Sequence, residues 1–266
     1  MKKLNDKNNQ GGLNMPKVGS KVSVVVLAAG MGKRMGSDLP KVLLPLKSRI
    51  LIHYLLEAIK QSGVCERPVI VVGQKAEKVK EALGSTYDYV FQAEQLGTGH
   101  ALAQTRDFLA GKAKNILVLY GDMPLVTAET IQRLAEVHQK ENAILTMTTV
   151  QVPDFNDWRA IFYDYGRIIR DDKGRLVKNV EKRDATLEQL AITEVNPSFY
   201  CFDADWLWQN IGQLGAENAQ KEYYLTDLVG LACKQGQKIA TVAINPPEAL
   251  GANTVEQLRL LSTLVG

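Results

Sequence analysis

An α/β fold, with a mixed and mainly parallel sheet flanked by helices, is what this 266-residue chain predicts. Three observations carry that expectation. Short β-branched apolar runs alternate with patterns whose apolar residues recur at three and four positions, as parallel strands joined by helices do. From about residue 143 the pattern turns β-rich. No internal repeat, low-complexity linker or Pro/Gly-rich hinge parts the halves, so one domain of two lobes is expected, 22–142 and 143–266.

Taken in order, residues 1–21 are rich in Lys, Asn and Gly and lack an apolar core, which reads as a disordered leader unable to act as a secretory signal. Strands are expected at 22–28, 68–72, 87–91 and 115–120, with helices at 50–61, 76–83, 98–109 and 128–140. The β-rich part has runs at 144–152, 160–163, 166–170, 176–181 and 194–202, then a strand at 238–244 and a closing helix at 254–264.

Bulk properties exclude several function classes. An apolar content of 45% can fill a core, and 32 basic against 29 acidic residues leave no electrostatic footprint for nucleic acid. The apolar run 22–29 is far too short to span a bilayer, so a cytoplasmic protein with no membrane or evident protein partner is expected. Cys65, Cys201 and Cys233 are odd in number, widely spaced and without CxxC pairing, which argues against both disulfides and a zinc site.

The most informative segment leaves the first strand as Leu27-Ala28-Ala29-Gly30-Met31-Gly32-Lys33-Arg34. Glycines let a backbone approach a polyphosphate closely, and the following cations supply charge. Lys41, in Pro40-Lys41-Val42-Leu43, adds a third cation where the loop ends. It is not a Walker loop, because Lys33 is followed by Arg34 rather than Ser or Thr. It is not a dinucleotide fingerprint either, because the spacing runs Gly30-x-Gly32-x-x-x-Gly36 and the second strand ends without an acid.

Four further segments follow in order: 92–101 (QAEQLGTGHA), 119–125 (LYGDMPL), 165–168 (YGRI) and 222–227 (EYYLTD). With the loop, they resemble the uridyltransferase domain of bacterial bifunctional N-acetylglucosamine-1-phosphate uridyltransferase/glucosamine-1-phosphate acetyltransferases, from about residue 22 to the C-terminal helix. The resemblance implies a Rossmann-like nucleotide-diphospho-sugar transferase fold with a nucleotide lobe and a β-rich sugar-binding lobe. It implies formation of UDP-N-acetylglucosamine and pyrophosphate from UTP and N-acetylglucosamine 1-phosphate, with Mg²⁺. By motif, Leu27, Ala28, Ala29 and Gly30 would contact the nucleotide, Arg34 and Lys41 the phosphates, and Gln92, Gly97 and Thr98 the uracil. Asp122 and Asn253 would hold the metal, and Gly166, Glu181, Asn196, Tyr224 and Thr226 would line the sugar pocket.

Each residue also has a plainer reading. Asp122 follows a Gly at a strand end, where turn chemistry alone would suit it. Asn253 precedes a helix with Glu256 three residues on, a capping pattern. Thr226 could cap a helix, Glu181 and Asn196 could be sheet-surface positions, and His100 reads as structural. A silent nucleotide-sugar-binding module therefore remains an alternative.

Two segments depart from the family pattern. Its Gly-Tyr-Gly-Arg is Asp164-Tyr165-Gly166-Arg167 here, and its Asn-Thr-Gly is Asn196-Pro197-Ser198. Both bear on the sugar pocket, so another hexose 1-phosphate such as glucose 1-phosphate is the alternative acceptor. The 266 residues contain no hexapeptide repeats of the family's acetyltransferase domain, so uridylyl transfer without acetyl transfer is expected.

Overall fold

The computed structural model describes residues 22–32, 35–218 and 220–265. The expected leader and the cations Lys33 and Arg34 lie outside them. In chain order the elements are β1 (Val22–Leu27), the short hairpin β2 (Pro45–Leu46) and β3 (Arg49–Ile50), α1 (Leu51–Ser62), β4 (Val69–Val72), α2 (Ala76–Leu83) and β5 (Asp88–Phe91). Then come α3 (Thr98–Ala103), α4 (Arg106–Leu109), β6 (Asn115–Tyr120), α5 (Ala128–Glu141), β7 (Leu145–Gln151), β8 (Gly166–Arg170) and β9 (Leu176–Val180). Last are α6 (Leu187–Leu190), β10 (Glu194–Asn196), β11 (Tyr200–Asp203), α7 (Ala204–Asn210), α8 (Asp227–Lys234), β12 (Ile239–Ala243) and α9 (Val255–Leu264).

One sheet runs β5-β4-β1-β6-β11-β7-β10-β8-β9, with β12 added alongside β7. Its first four strands are parallel: β4, β1 and β6 are buried Val- and Leu-rich runs joined by helices, and β5 closes the edge partly exposed. Side chains alternate across β1: Val22, Val24 and Val26 enter one core and Val25 and Leu27 the other. The first core is covered by α1, α2, α5 and α9, the second by α3, α4, α7 and α8. No helix among the described residues is long and apolar enough to cross a membrane.

Helix ends follow local chemistry. Thr127 caps α5 by accepting from the Thr130 amide, and Asn142 closes it in the left-handed region at φ 45°. Asp203 accepts from the Trp206 amide to start α7, and α1 stops at Gly63, φ 66°.

Three expectations need correction. The apolar run 160–163 is not a strand but part of a 3₁₀ helix, Asp157–Asp164. Its aromatic residues reflect helical stacking, with Trp158 on Phe162 and Phe162 on Tyr165, edge to face at 5.9 and 5.3 Å. The expected helix 98–109 is broken at Gln104 and Thr105. Thr105 is buried and its hydroxyl donates to the Leu102 carbonyl at 2.7 Å, a local bond that competes with the helix ladder. The run 194–202 is two strands, parted by Pro197 and by Ser198 at φ 69°. Pro197 thus sits in the break and removes no donor from a ladder.

His138 on α5 gives the fold a pH signature. It is 2% exposed, with Nδ1 3.0 Å from the Thr146 hydroxyl of β7. Burial pulls its pKa from 6.5 to about 4, Asp203 opposing and Lys114 assisting. An unfolded histidine takes up a proton below about pH 6.5 that the native one refuses until about pH 4. Stability therefore falls as pH drops through that window, by up to about 3 kcal/mol. Urea-unfolding midpoints between pH 7 and 4 should show this slope, and His138→Gln should flatten it.

Candidate active site

The strand order creates the site. From β1 the chain moves outward to β4 and β5, then crosses back to place β6 on the other side of β1. The loops leaving β1 and β6 consequently part at their carboxyl ends, where Leu27 and Tyr120 lie in register. Such a switch point opens a crevice that adjacent elements do not fill.

The loop after β1 folds back on itself. Met31 bridges Pro40, the Gly32 amide donates to Leu39 O at 3.1 Å, and the Lys41 amide donates to Gly30 O at 3.0 Å. Lys41 is thereby returned to the crevice beside Gly30, where a Cβ on the glycine would lie 3.9 Å from Lys41 Cε. Across the crevice Gly121 passes so close to the packed Val42 that a Cβ would stand 2.8 Å from Val42 Cγ1. Asp122 follows directly.

Three polar side chains from distant parts of the sequence meet there. Lys41 Nζ donates to Asp122 Oδ2 at 2.5 Å and to Asn253 Oδ1 at 2.7 Å. Lys41 and Asp122 are 18% and 15% exposed, so the pair sits at the crevice floor but remains open to a ligand. The capping reading of Asn253 does not hold: the cap of α9 is Thr254, whose hydroxyl accepts from the Gln257 amide. Asn253 is left to face Lys41, and the Ala252 amide donates to Asp122 O at 3.0 Å, tying the two loops together.

Two cavities adjoin at this point. Leu27, Ala28, Ala29, Gly30, Gln92, Gly97 and Thr98 line the first. Gly166, Glu181, Asn196, Tyr224, Thr226 and Asn253 line the second. Lys41, Thr98, Tyr120 and Asp122 border both. Every residue expected at the nucleotide, sugar or metal thus falls into one continuous cleft, except Arg34, which lies outside the described residues.

In the first cavity Gln92 is buried, with Nε2 donating to Gly97 O at 3.2 Å and lying 3.1 Å from His100 Nδ1. His100 also contacts Gln104, which supports its structural reading. The 96–99 turn is fastened to Tyr223 by a bond from the Tyr223 amide to Leu96 O and another from the Gly99 amide to Tyr223 O, both 2.8 Å. Gln95 donates to Ala29 O, closing the wall against the β1 loop.

The second cavity has a more polar wall. Asn196 is buried and occupied by its own chain: Nδ2 donates to the Tyr200 hydroxyl at 2.7 Å and Oδ1 accepts from the Ser198 amide at 2.8 Å. This turn holds Ser198 at positive φ where the family has a glycine, a conformation that costs an L-residue about 1 kcal/mol. Burial raises the Glu181 pKa above its ordinary value, while hydrogen bonds from Thr226 and Asn179 oppose the rise. Asp164, the other departure, pairs with Lys182 at 2.5 Å on the cavity rim. Arg167 is fully buried and makes no ion pair among the described residues; it donates to the Tyr163 and Tyr165 carbonyls and stacks 4.8 Å from the Phe155 ring, shaping the loop that presents Gly166.

Sequence reasoning missed Tyr120, Tyr165, Lys182 and Arg183, all lining the second cavity. Tyr120 carried a usable signal, being the last strand residue before Gly121-Asp122. Tyr165 stands in the 165–168 segment, and its hydroxyl donates to Ala249 O at 2.6 Å, binding the two sides of the cleft.

Comparison with known proteins agrees with the resemblance drawn from the motifs. The chain is 41% identical over 89% of its length to the Bifunctional protein GlmU of Clostridium novyi. It is 42% identical over 89% to that of Trichlorobacter lovleyi and 39% identical over 90% to that of Brevibacillus brevis. In each case it spans about 50% of the relative's own length. The match to a domain family extends from residue 24 to residue 207, past β1, the β6 loop and both departures. The chain belongs to the family of MobA-like NTP transferase domains.

Proposed function

We propose that this chain transfers a uridylyl group from UTP to N-acetylglucosamine 1-phosphate, forming UDP-N-acetylglucosamine and pyrophosphate. The observation that carries the reading is the shared border of the two cavities, where Lys41 and Asp122 stand between the nucleotide wall and the acceptor wall. An oxygen of the acceptor phosphate, already ionised near neutral pH, forms the new bond to the α-phosphorus. The bond from that phosphorus to the bridging oxygen breaks, and pyrophosphate leaves with its electrons. No general base is needed.

What the reaction requires is alignment and neutralisation of two polyanions. Lys41 supplies a positive charge at the junction, Gly30 and its neighbours a close backbone, and Gln92 an amide for the base. Glu181, Asn196, Gly166, Tyr224 and Thr226 would orient the sugar. Among the described residues no three acidic, histidine or cysteine side chains cluster as a protein metal cage. Asp122 and Asn253 instead offer one carboxylate and one amide oxygen converging on a single cationic atom. That donor pair fits Mg²⁺, which retains waters and shares substrate phosphates. When bound, the ion would polarise phosphate oxygens and neutralise the leaving group.

A second reading changes only the acceptor, to another hexose 1-phosphate. The Asp164–Lys182 pair and the Pro197-Ser198 turn favour it, because both alter the wall that faces the sugar. A pyrophosphate-release assay crossing four nucleoside triphosphates with a panel of sugar 1-phosphates tests both. UTP with N-acetylglucosamine 1-phosphate is expected to give the highest kcat/KM. Preference for a sugar without the acetamido group would establish the second reading, and no pyrophosphate from any pair would leave a binding module.

A further inference from the structure

Among the described residues Glu248 is the only carboxylate in the buried set, 6% exposed and without a cation beside it. Its Oε2 accepts from the Thr127 amide at 3.1 Å and from the Thr127 hydroxyl at 2.8 Å, while Oε1 accepts from the Asn245 amide at 3.3 Å. The Thr127 hydroxyl in turn accepts from Thr130 N, so the carboxylate sits against the N-terminus of α5, where a negative charge is favoured. Its place in the chain matters more than its own satisfaction. Asn253 follows Glu248 by five residues, just as Thr127 follows Asp122 by five. The two segments are joined at the cleft by the bond from Ala252 N to Asp122 O, and at the far end by Glu248 and Thr127. Gly251 packs between them, close to Met123.

We propose that Glu248 is a positioning residue that fixes the separation of Asp122 and Asn253, and through it the affinity of the cleft for a divalent cation. The inference rests on the assignment of those two residues as metal ligands. Groups hydrogen-bonded directly to metal ligands usually change metal affinity by about 10–100-fold when removed, and Glu248, which acts one step further back through Thr127, is expected at the lower end. A merely structural role would lower the melting temperature and leave metal affinity alone.

The test is Mn²⁺ binding in the presence of UTP, followed by electron paramagnetic resonance, alongside the melting temperature and the acceptor KM. Glu248→Ala and Thr127→Val are expected to weaken Mn²⁺ by about tenfold with little change in acceptor KM. Glu248→Gln, whose amide oxygen still accepts from Thr127, should retain most of the affinity. Parental Mn²⁺ affinity in both Thr127→Val and Glu248→Ala, with only the melting temperature lowered, overturns the proposal. Should Glu248→Ala fail to fold, the Thr127→Val result decides. Asp122→Ala separates the two levels: parental Mn²⁺ binding there removes the metal assignment itself, whereas its loss beside unaffected Thr127 and Glu248 variants removes only the positioning role.

Discussion

Asp122→Ala is expected to lower pyrophosphate release on the order of 10³-fold, with the sheet and both cores intact. Electrostatic groups aimed at developing charge are among the largest contributors to catalysis, and removing one typically costs about 10²–10³ in kcat. Here the loss is compounded, because the same carboxylate partners Lys41 at 2.5 Å. Without it the ammonium has Asn253 Oδ1 as its remaining side-chain partner, at 2.7 Å, and is free to follow the phosphates away from the reacting centre. Lys41→Ala should reduce turnover as well, but with a different signature: a raised KM for UTP, the result expected of a charge that would also hold the ground-state triphosphate. Single-turnover kinetics with near-saturating UTP separate the two. Parental turnover by Asp122→Ala would remove this residue from the chemistry, whatever becomes of Lys41.

The parallel half of the sheet was legible because β1, β4 and β6 are short, doubly buried apolar runs, β5 is a β-branched and aromatic edge run, and each crossover carries a helical period. The cleft was legible for a related reason: at a switch point the lining residues follow strand ends, as Gly30 and Asp122 do. What the sequence concealed were places where two physical causes share one pattern. The run 160–163 reads as a strand, but it lies in a 3₁₀ helix where Phe162 stacks between Trp158 and Tyr165. Asn253 and Thr254 are both plausible caps, and only the Gln257 amide, held by the Thr254 hydroxyl, decides between them. Long-range joins such as Tyr165 to Ala249 and Glu248 to Thr127 leave no local pattern, because neither partner's neighbours constrain the other.

Gly97→Ala should abolish most UTP affinity while leaving the fold standing. Gly97 has φ 107°, a region an L-residue enters at a cost of about 1–3 kcal/mol. A Cβ there would also stand 2.7 Å from Tyr223 O and 2.9 Å from Tyr223 N. Those atoms cannot simply yield, because both are engaged in the bonds that fasten the 96–99 turn. Overpacking against fixed backbone adds about another 1–3 kcal/mol. The cheaper response is for the turn to detach from Tyr223, carrying Thr98 away from the Leu225 amide it accepts from at 3.1 Å and loosening Gly97 O from Gln92. At about 1.4 kcal/mol per decade, the resulting loss in UTP binding is on the order of 10²-fold or more. Gly174→Ala supplies the contrast, since Gly174 is also at positive φ, 74°, but nothing lies within 4 Å of its Cβ position in the β8–β9 turn. That variant should lose about 1 kcal/mol of stability and none of its UTP affinity by calorimetry. Parental UTP binding in a folded Gly97→Ala protein would show that the 96–99 turn is not the nucleotide wall.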